Sequence, residues 1–335
     1  MAQADGSTRL CMFAVGGVAR VGMAHRKGVI DLTRAYAQGL AGKTPEAALA
    51  QALAHLPQTV EGFLRNRKTA VAAASKALAA VKKGGASAQF DGAPLLYEES
   101  QVRFLPPLAP KRIICMARNY SEHGDEFDKL YHKQKSSFNF FTFLKPHTAV
   151  SGPFDPIRVP ASVKKLDYEI ELGIVVGPGG RNIPKGKAMT HVAGYTIGND
   201  MSDRAGIPPA KSSGRVDWVL MKARDGFAPL GPYLLLADNK VDPYKMRLKL
   251  WVNGKLRQNA LAAEMIYKID EQISRISQTM TLETGDVILT GSPAGNAAKY
   301  GQWLKPGDQV EGEVTGIGRQ KFSIERGKAA YLTIP

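Results

Sequence analysis

Leu166-Asp167-Tyr168-Glu169-Ile170-Glu171-Leu172-Gly173-Ile174-Val175-Val176 alternates acidic and apolar residues and closes on a β-branched run, so it reads as a β-strand. A period of two places Glu169 and Glu171 on the same face, roughly 7 Å apart at Cα. Two like charges in an otherwise apolar strand are costly unless something cationic sits between them. A hard divalent ion meets that need, because carboxylate oxygens are its preferred ligands. About thirty residues on, Gly198-Asn199-Asp200 ends a second apolar strand beginning at Val192, and Asp200 is the natural third ligand. From these residues alone two other readings stay open. Glu-x-Glu on a strand also fits a solvated face, and Asp200 in a Gly-Asn-Asp turn also fits a residue satisfying backbone amides.

Around this stretch, 335 residues with 44% apolar content allow one large domain or two of unequal size. Cys11 and Cys115 both lie in apolar runs and read as buried small hydrophobes in a reducing compartment. No apolar run approaches the length that spans a bilayer. Leu10 to Ala19 has a faint signal-like character, but Arg20, His25, Arg26 and Lys27 follow directly, and a first hairpin is the better reading. The expectation is a cytoplasmic protein that does not engage membranes. The net charge of +15 comes from scattered basic residues, as in Arg65-Asn66-Arg67-Lys68 and Lys164-Lys165. A nucleic-acid binder would concentrate them on one face with interleaved aromatics. No nucleic-acid partner is therefore expected, and a positive field would instead speed the encounter with a small anionic substrate.

The N-terminal segment, 1–105, reads as a small α+β domain. Short strands cover residues 9 to 32. Thr44-Pro45-Glu46 opens a helix with a cap, and Val60 to Lys83 reads as an amphipathic helix with Leu64, Val71 and Leu78 seven residues apart. Leu105-Pro106-Pro107-Leu108-Ala109-Pro110 is a stiff linker. The remainder, 106–335, is strand-rich. It holds a hairpin at Asn253-Gly254 and a helix from Ala263 to Thr279. Gly291-Ser292-Pro293-Ala294-Gly295 has the wrong spacing for a serine-hydrolase elbow.

Further residues attract attention on their own chemistry. His123 and Glu126 form an H-x-x-E pair that shares a face of a short helix, where a carboxylate orients the imidazole and keeps it basic. A histidine in a charged loop is equally readable as a surface residue, and Glu122 or Asp125 could replace Glu126 as partner. Lys222 follows Trp218-Val219-Leu220-Met221, where a lysine either snorkels or meets an anion. Five ordered segments then bring recognition. They are Ala117-Arg118-Asn119-Tyr120-Ser121-Glu122-His123-Gly124-Asp125-Glu126, the Asp167–Leu172 strand, Gly194–Arg204, Met221–Pro232 and Leu282–Gly295. Through these the chain resembles the fumarylacetoacetate hydrolase family from about residue 111 to its C-terminus.

That resemblance implies a mainly β, α+β fold with a β-roll catalytic domain over 106–335, and a homodimer. It implies that Glu169, Glu171 and Asp200 hold Mg²⁺ or Mn²⁺, with Ca²⁺ a further candidate. His123 and Glu126 would sit on a lid and activate water. Lys222 would neutralise a developing enolate, and Arg118, Tyr120 and Ser292 would contact substrate. Ala205, Gly206 and Ile207 depart from the family pattern, in which a glutamine near this position orients substrate. Phe138, Phe140, Phe141 and Phe143 read as core residues or as the lining of a pocket for a bulkier substrate. The leading expectation is hydrolytic C–C cleavage of an acylpyruvate or related 1,3-dicarbonyl or 2-oxo acid. The alternatives are tautomerase, isomerase or decarboxylase chemistry at the same metal–enolate site and, more remotely, a non-enzymatic nucleic-acid-binding protein.

Overall fold

The computed structural model of the chain describes residues 7–40, 42–85, 87–121, 140–207 and 216–327. Its centre is the strand Ile170–Val176, buried along its whole length. That strand pairs antiparallel with Val192–Asn199 on one side and Val287–Leu289 on the other. Beyond Val192–Asn199 the sheet runs through Leu234–Leu236, Arg9–Val15, Val18–His25, Gly28–Asp31 and Leu96–Tyr97. Beyond Val287–Leu289 it continues through Arg112–Met116, the parallel neighbour, to the edge strand Thr142–Pro146. The sheet is therefore mixed, and its N-terminal strands are hydrogen-bonded to the rest through Arg9–Leu235 and Leu10–Leu234. We keep the division at residue 105 as a proposal about folding units, since the sheet itself runs across it.

Both faces of the central strand are covered, which is why its sequence is almost continuously apolar. Val175 packs with Leu10, Val287 and the helices Leu32–Gln38, Pro45–His55, Val60–Arg65 and Arg67–Gly84. Ile174 packs instead with Leu248, Val310 and Phe322, which belong to a second sheet. That sheet has five strands, in the order Ile157–Val159, Gly318–Arg326, Gln309–Val314, Arg247–Val252 and Lys255–Leu261. Two buried glutamines fasten it to the large sheet. Gln258 accepts the Ile170 N–H at 3.0 Å, and Gln320 donates to Ile197 O at 3.1 Å and Pro229 O at 3.0 Å. Helices, large sheet and small sheet thus form three layers of an α+β fold.

Local chemistry fixes much of this. Gly16 and Gly17 take φ of 57° and 80° to turn the first hairpin, and Asn253 and Gly254, at 49° and 76°, turn the one in the small sheet. Two expectations change. The expected helix from Val60 to Lys83 is broken at Asn66 (φ −108°, ψ 29°). There the Asn66 side chain bonds Gly62 O, and Arg67 reaches out to the carbonyls of Ala193 and Ala237. The buried stripe of the second piece is Ala70, Ala73, Ala74, Ala77 and Val81, while Val71 is 37% exposed. The helix expected from Ala263 begins only at Ile269, because the preceding residues run against the chain around Asn119. No helix among the described residues is long and apolar enough to cross a membrane.

Candidate metal centre

Glu169 occupies the break between the short strand Leu166–Asp167 and Ile170–Val176, while Glu171 lies within the latter. Asp200 directly follows Val192–Asn199. The two strand ends are stitched together: the Asp200 N–H donates to Glu169 O at 2.9 Å, and the Glu169 N–H donates to Asn199 Oδ1 at 3.0 Å. One carboxylate oxygen from each of Glu169, Glu171 and Asp200 consequently lies within 4.8 Å of the others. Their exposures of 5%, 1% and 1% remove the solvated-face reading.

Three buried cations surround this cluster. Lys222, the last residue of the short helix Trp218–Lys222, donates to Glu169 Oε2 at 2.6 Å and also to Asp200 Oδ2. Lys145 donates to Asp200 Oδ1 at 2.6 Å and to Met201 O at 3.0 Å. Arg204 spans Glu169 Oε1 at 2.5 Å and Asp167 Oδ2 at 2.7 Å. Burial alone would lower the Lys222 ammonium, but the Asp200 and Glu169 carboxylates outweigh it and hold Lys222 above its ordinary value. Burial likewise acts to lower Arg204, and the Glu169 and Asp167 carboxylates reverse it.

Glu171 is different. Among the described residues it accepts the Gly291 N–H at 2.6 Å and pairs with no cation. Burial, then the Asp200 and Glu169 charges, push its carboxyl well above the usual range. Among the described residues, Asp167, Glu169 and Asp200 are paired with Lys145, Lys222 and Arg204, and Glu171 is the carboxyl left without a cation. A buried, uncompensated carboxylate beside two more is the environment that a hard divalent ion relieves. The donor set is all oxygen, which fits Mg²⁺, Mn²⁺ or Ca²⁺ and not a thiolate-seeking metal.

The remaining wall is built around Asn119, which is fully buried. Its amide donates to Thr290 O at 2.7 Å and Tyr267 O at 3.1 Å, and its Oδ1 accepts the Tyr267 N–H at 2.7 Å. Gly291, at φ 96°, must be glycine. A Cβ there would stand 2.6 Å from Asn119 Cβ, and its N–H is the one that serves Glu171. Arg118 turns the chain here at φ 57°. The Tyr120 ring is buried, and its hydroxyl has no hydrogen-bond partner among the described residues. Burial, then the Glu171 charge, raises this phenol, so it remains a proton donor. Ser292 Oγ accepts from Gln258 Nε2 at 2.8 Å, within the same wall. Phe143 lies 5.1 Å from Lys222 Nζ and stacks on Trp218, which also touches Phe141, while Phe140 packs on Tyr267.

The carboxylates Glu169, Glu171 and Asp200 are thus brought together with Lys222, while Tyr120 and Ser292 are buried in the adjoining segments. His123 and Glu126 lie outside the described residues, as do Glu122, Asp125 and Phe138. Sequence reasoning missed Lys145, Arg204 and Asp167. The signal for Lys145 was a lysine in the apolar run Phe143-Leu144-Lys145-Pro146, the same signal that singled out Lys222.

Comparison with known proteins agrees with this architecture. The family model described as fumarylacetoacetate (FAA) hydrolase C-terminal matches residues 112–325. The chain is 34% identical over 266 residues to the mitochondrial oxaloacetate tautomerase Fahd2a of Rattus norvegicus, covering 78% of each chain. Its structure is similar to that of maleylpyruvate hydrolase from Sphingobium sp. SYK-6 in complex with manganese(II) and pyruvate. There the TM-score is 0.70 and the identity 28%, over 96% of this chain and 100% of that one. Fumarylacetoacetate hydrolase from the psychrophile Exiguobacterium antarcticum gives a TM-score of 0.68 at 29% identity, over the same 96% and 100%. On the matched residues, the shared fold and the buried acidic cluster, this chain belongs to the fumarylacetoacetate hydrolase family.

Proposed function

We propose that the protein is a divalent-metal-dependent enzyme that interconverts the keto and enol forms of a small 2-oxo dicarboxylate of the oxaloacetate class. The observation that carries this reading is Lys222. Its ammonium is buried against two carboxylates of the triad, so a substrate drawn to the centre meets a fixed positive charge where an enolate oxygen would form. Glu169, Glu171 and Asp200 would hold Mg²⁺ or Mn²⁺. When bound there, the ion supplies Lewis-acid polarisation of a 2-oxo carbonyl. Tyr120 would donate its hydroxyl to a substrate oxygen, a role supported by the lack of any acceptor for it among the described residues. Arg118 and Ser292 are the further substrate contacts of this reading. The oxaloacetate tautomerase relatives support it over the hydrolytic expectation drawn from the sequence.

Hydrolytic C–C cleavage is the second reading, favoured by the likeness to maleylpyruvate hydrolase. It assigns His123, oriented by Glu126, to take a proton from the attacking water. The two readings part in one experiment. Enol-oxaloacetate is followed by ultraviolet absorbance with Mg²⁺ or Mn²⁺ present, and acylpyruvates and maleylpyruvate are screened in parallel by mass spectrometry. Acceleration of the keto–enol step beyond a metal-only control, abolished by Lys222→Met, is expected. No acceleration, together with cleavage of an acylpyruvate, would replace tautomerisation by hydrolysis. We also retain the homodimer and the cytoplasm as parts of the proposal; the rat relative is a mitochondrial protein by name.

A further inference from the structure

Arg9 opens the strand Arg9–Val15 opposite Leu235, and only 7% of it is exposed. Its guanidinium lies 5.5 Å from the centre of the Tyr233 ring. Among the described residues it forms no ion pair and no hydrogen bond, and its Nε is enclosed without a partner. A guanidinium this buried is costly without an ion-pair partner, and its enclosed Nε–H has lost water without gaining an acceptor. The fold nevertheless holds it there.

A cavity of about 270 Å³ adjoins Arg9, lined also by Phe104, Phe154, Tyr233, Glu99 and Arg319. No residue of the metal centre lines it. The other charged groups around it are already engaged. Arg319 pairs with Glu313 at 2.5 Å, Lys321 pairs with Glu311 at 2.9 Å, and Glu99 accepts the Tyr233 hydroxyl at 2.8 Å. Phe104 stands edge-on to both Phe154 and Tyr233, with ring centres 5.6 Å apart in each case, so the apolar wall is aromatic. Phe154 is 45% exposed, so a ligand in the cavity could lie against it.

We propose that this cavity is a second ligand site, distinct from the metal centre, for a small carboxylate with a flat apolar body. The carboxylate sits on the planar fork of Arg9, whose geometry matches two oxygens, and the body lies against Phe104 and Phe154. The volume is near the lower end of small-molecule sites and suits a single ring or a short conjugated chain. One wall residue is bonded to a strand of the large sheet. Gln320 lines the cavity, and its amide donates to Ile197 O, on the strand that leads into Asp200.

The test is a calorimetric titration of the full-length protein with benzoate, with Mg²⁺ and oxalate saturating so that the metal centre is occupied. One benzoate per chain is expected. Arg9→Met, which keeps the stem and removes the charge, should weaken it about tenfold or more, the loss typical of a charge-assisted hydrogen bond. Glu99→Gln should leave binding unchanged or tighten it, because a competing anion in the cavity wall is gone. Phe154→Ala, a change at a half-open surface position, should weaken benzoate but leave acetate unchanged. It supplies the same test if Arg9→Met does not fold. No saturable binding, equal affinity in Arg9→Met or Phe154→Ala, or affinity that changes with oxalate would overturn the site. Inorganic phosphate binding more tightly than benzoate would overturn the flat apolar body.

Discussion

Glu171→Gln should move the stability of the metal-free protein and its metal binding in opposite directions. The ligand oxygens of Glu169, Glu171 and Asp200 lie within 4.8 Å of one another. At an effective dielectric of ~20, two unit charges at that distance repel by about 3–4 kcal/mol. Lys145, Lys222 and Arg204 offset part of this, but they are bonded to Asp200, Glu169 and Asp167 rather than to Glu171. A residual penalty of about 1–3 kcal/mol is a reasonable remainder. The glutamine amide keeps an oxygen for the Gly291 N–H and gains a donor for the neighbouring carboxylates. Chelator-treated Glu171→Gln should therefore melt above chelator-treated wild type, by about 1–4 °C. Adding Mn²⁺ should raise the melting temperature of wild type and leave the variant unmoved. pH provides a second check. Because the native carboxyl is raised by burial and its acidic neighbours, the folded state keeps this proton when the unfolded chain has lost it. That contribution to metal-free stability is complete below the unfolded value near 4.5 and is lost as pH climbs through the raised native value. Metal must displace the same proton, so affinity should rise over that window, and both slopes should shrink in Glu171→Gln. Scanning calorimetry and metal titration on the same preparations decide the matter. A variant that melts below wild type without metal, or that still takes up Mn²⁺, would refute the charge argument.

Lys145→Met should destabilise the metal-free protein by about 3–5 kcal/mol, because Asp200 loses a buried partner, and bound metal should recover more stability than in wild type; equal metal-induced shifts would count against this. His123→Ala should lower hydrolytic turnover by about 10²–10⁴ while Mn²⁺ affinity stays unchanged, and loss of metal binding in that variant would make His123 a ligand instead of a base. Keto–enol conversion, which needs no attacking water, should survive His123→Ala better than hydrolysis; an equal loss of both would place His123 in the common step. Light scattering at micromolar concentration should give twice the 36.2 kDa chain mass, and a monomer would remove the dimer from the proposal.

What the sequence made legible was whatever announces itself within a few residues. Glu169 and Glu171 stand out because charges rarely interrupt so apolar a strand, and Lys222 because it ends an apolar turn. The hairpin at Asn253-Gly254 follows from two positions that need positive φ. What stayed hidden depends on partners far along the chain. Lys145 shows its role only against Asp200, 55 residues away. The helix break at Asn66 is tied to Arg67 reaching carbonyls 126 and 170 residues off, and the late start at Ile269 to Asn119 gripping Tyr267 from 148 residues away. Alanine spacing in the helix Arg67–Gly84 was likewise outweighed, in a reading by side-chain size, by Leu64, Val71 and Leu78. The long-range contacts around Asn119 also shape the centre. Asn119 fixes Thr290 O and leaves room only for glycine at 291, and Gly291 supplies an N–H that Glu171 accepts. The triad is thus written in two short motifs, but the unpaired state of Glu171 arises because, among the described residues, Lys145, Lys222 and Arg204 reach its neighbours and not Glu171 itself.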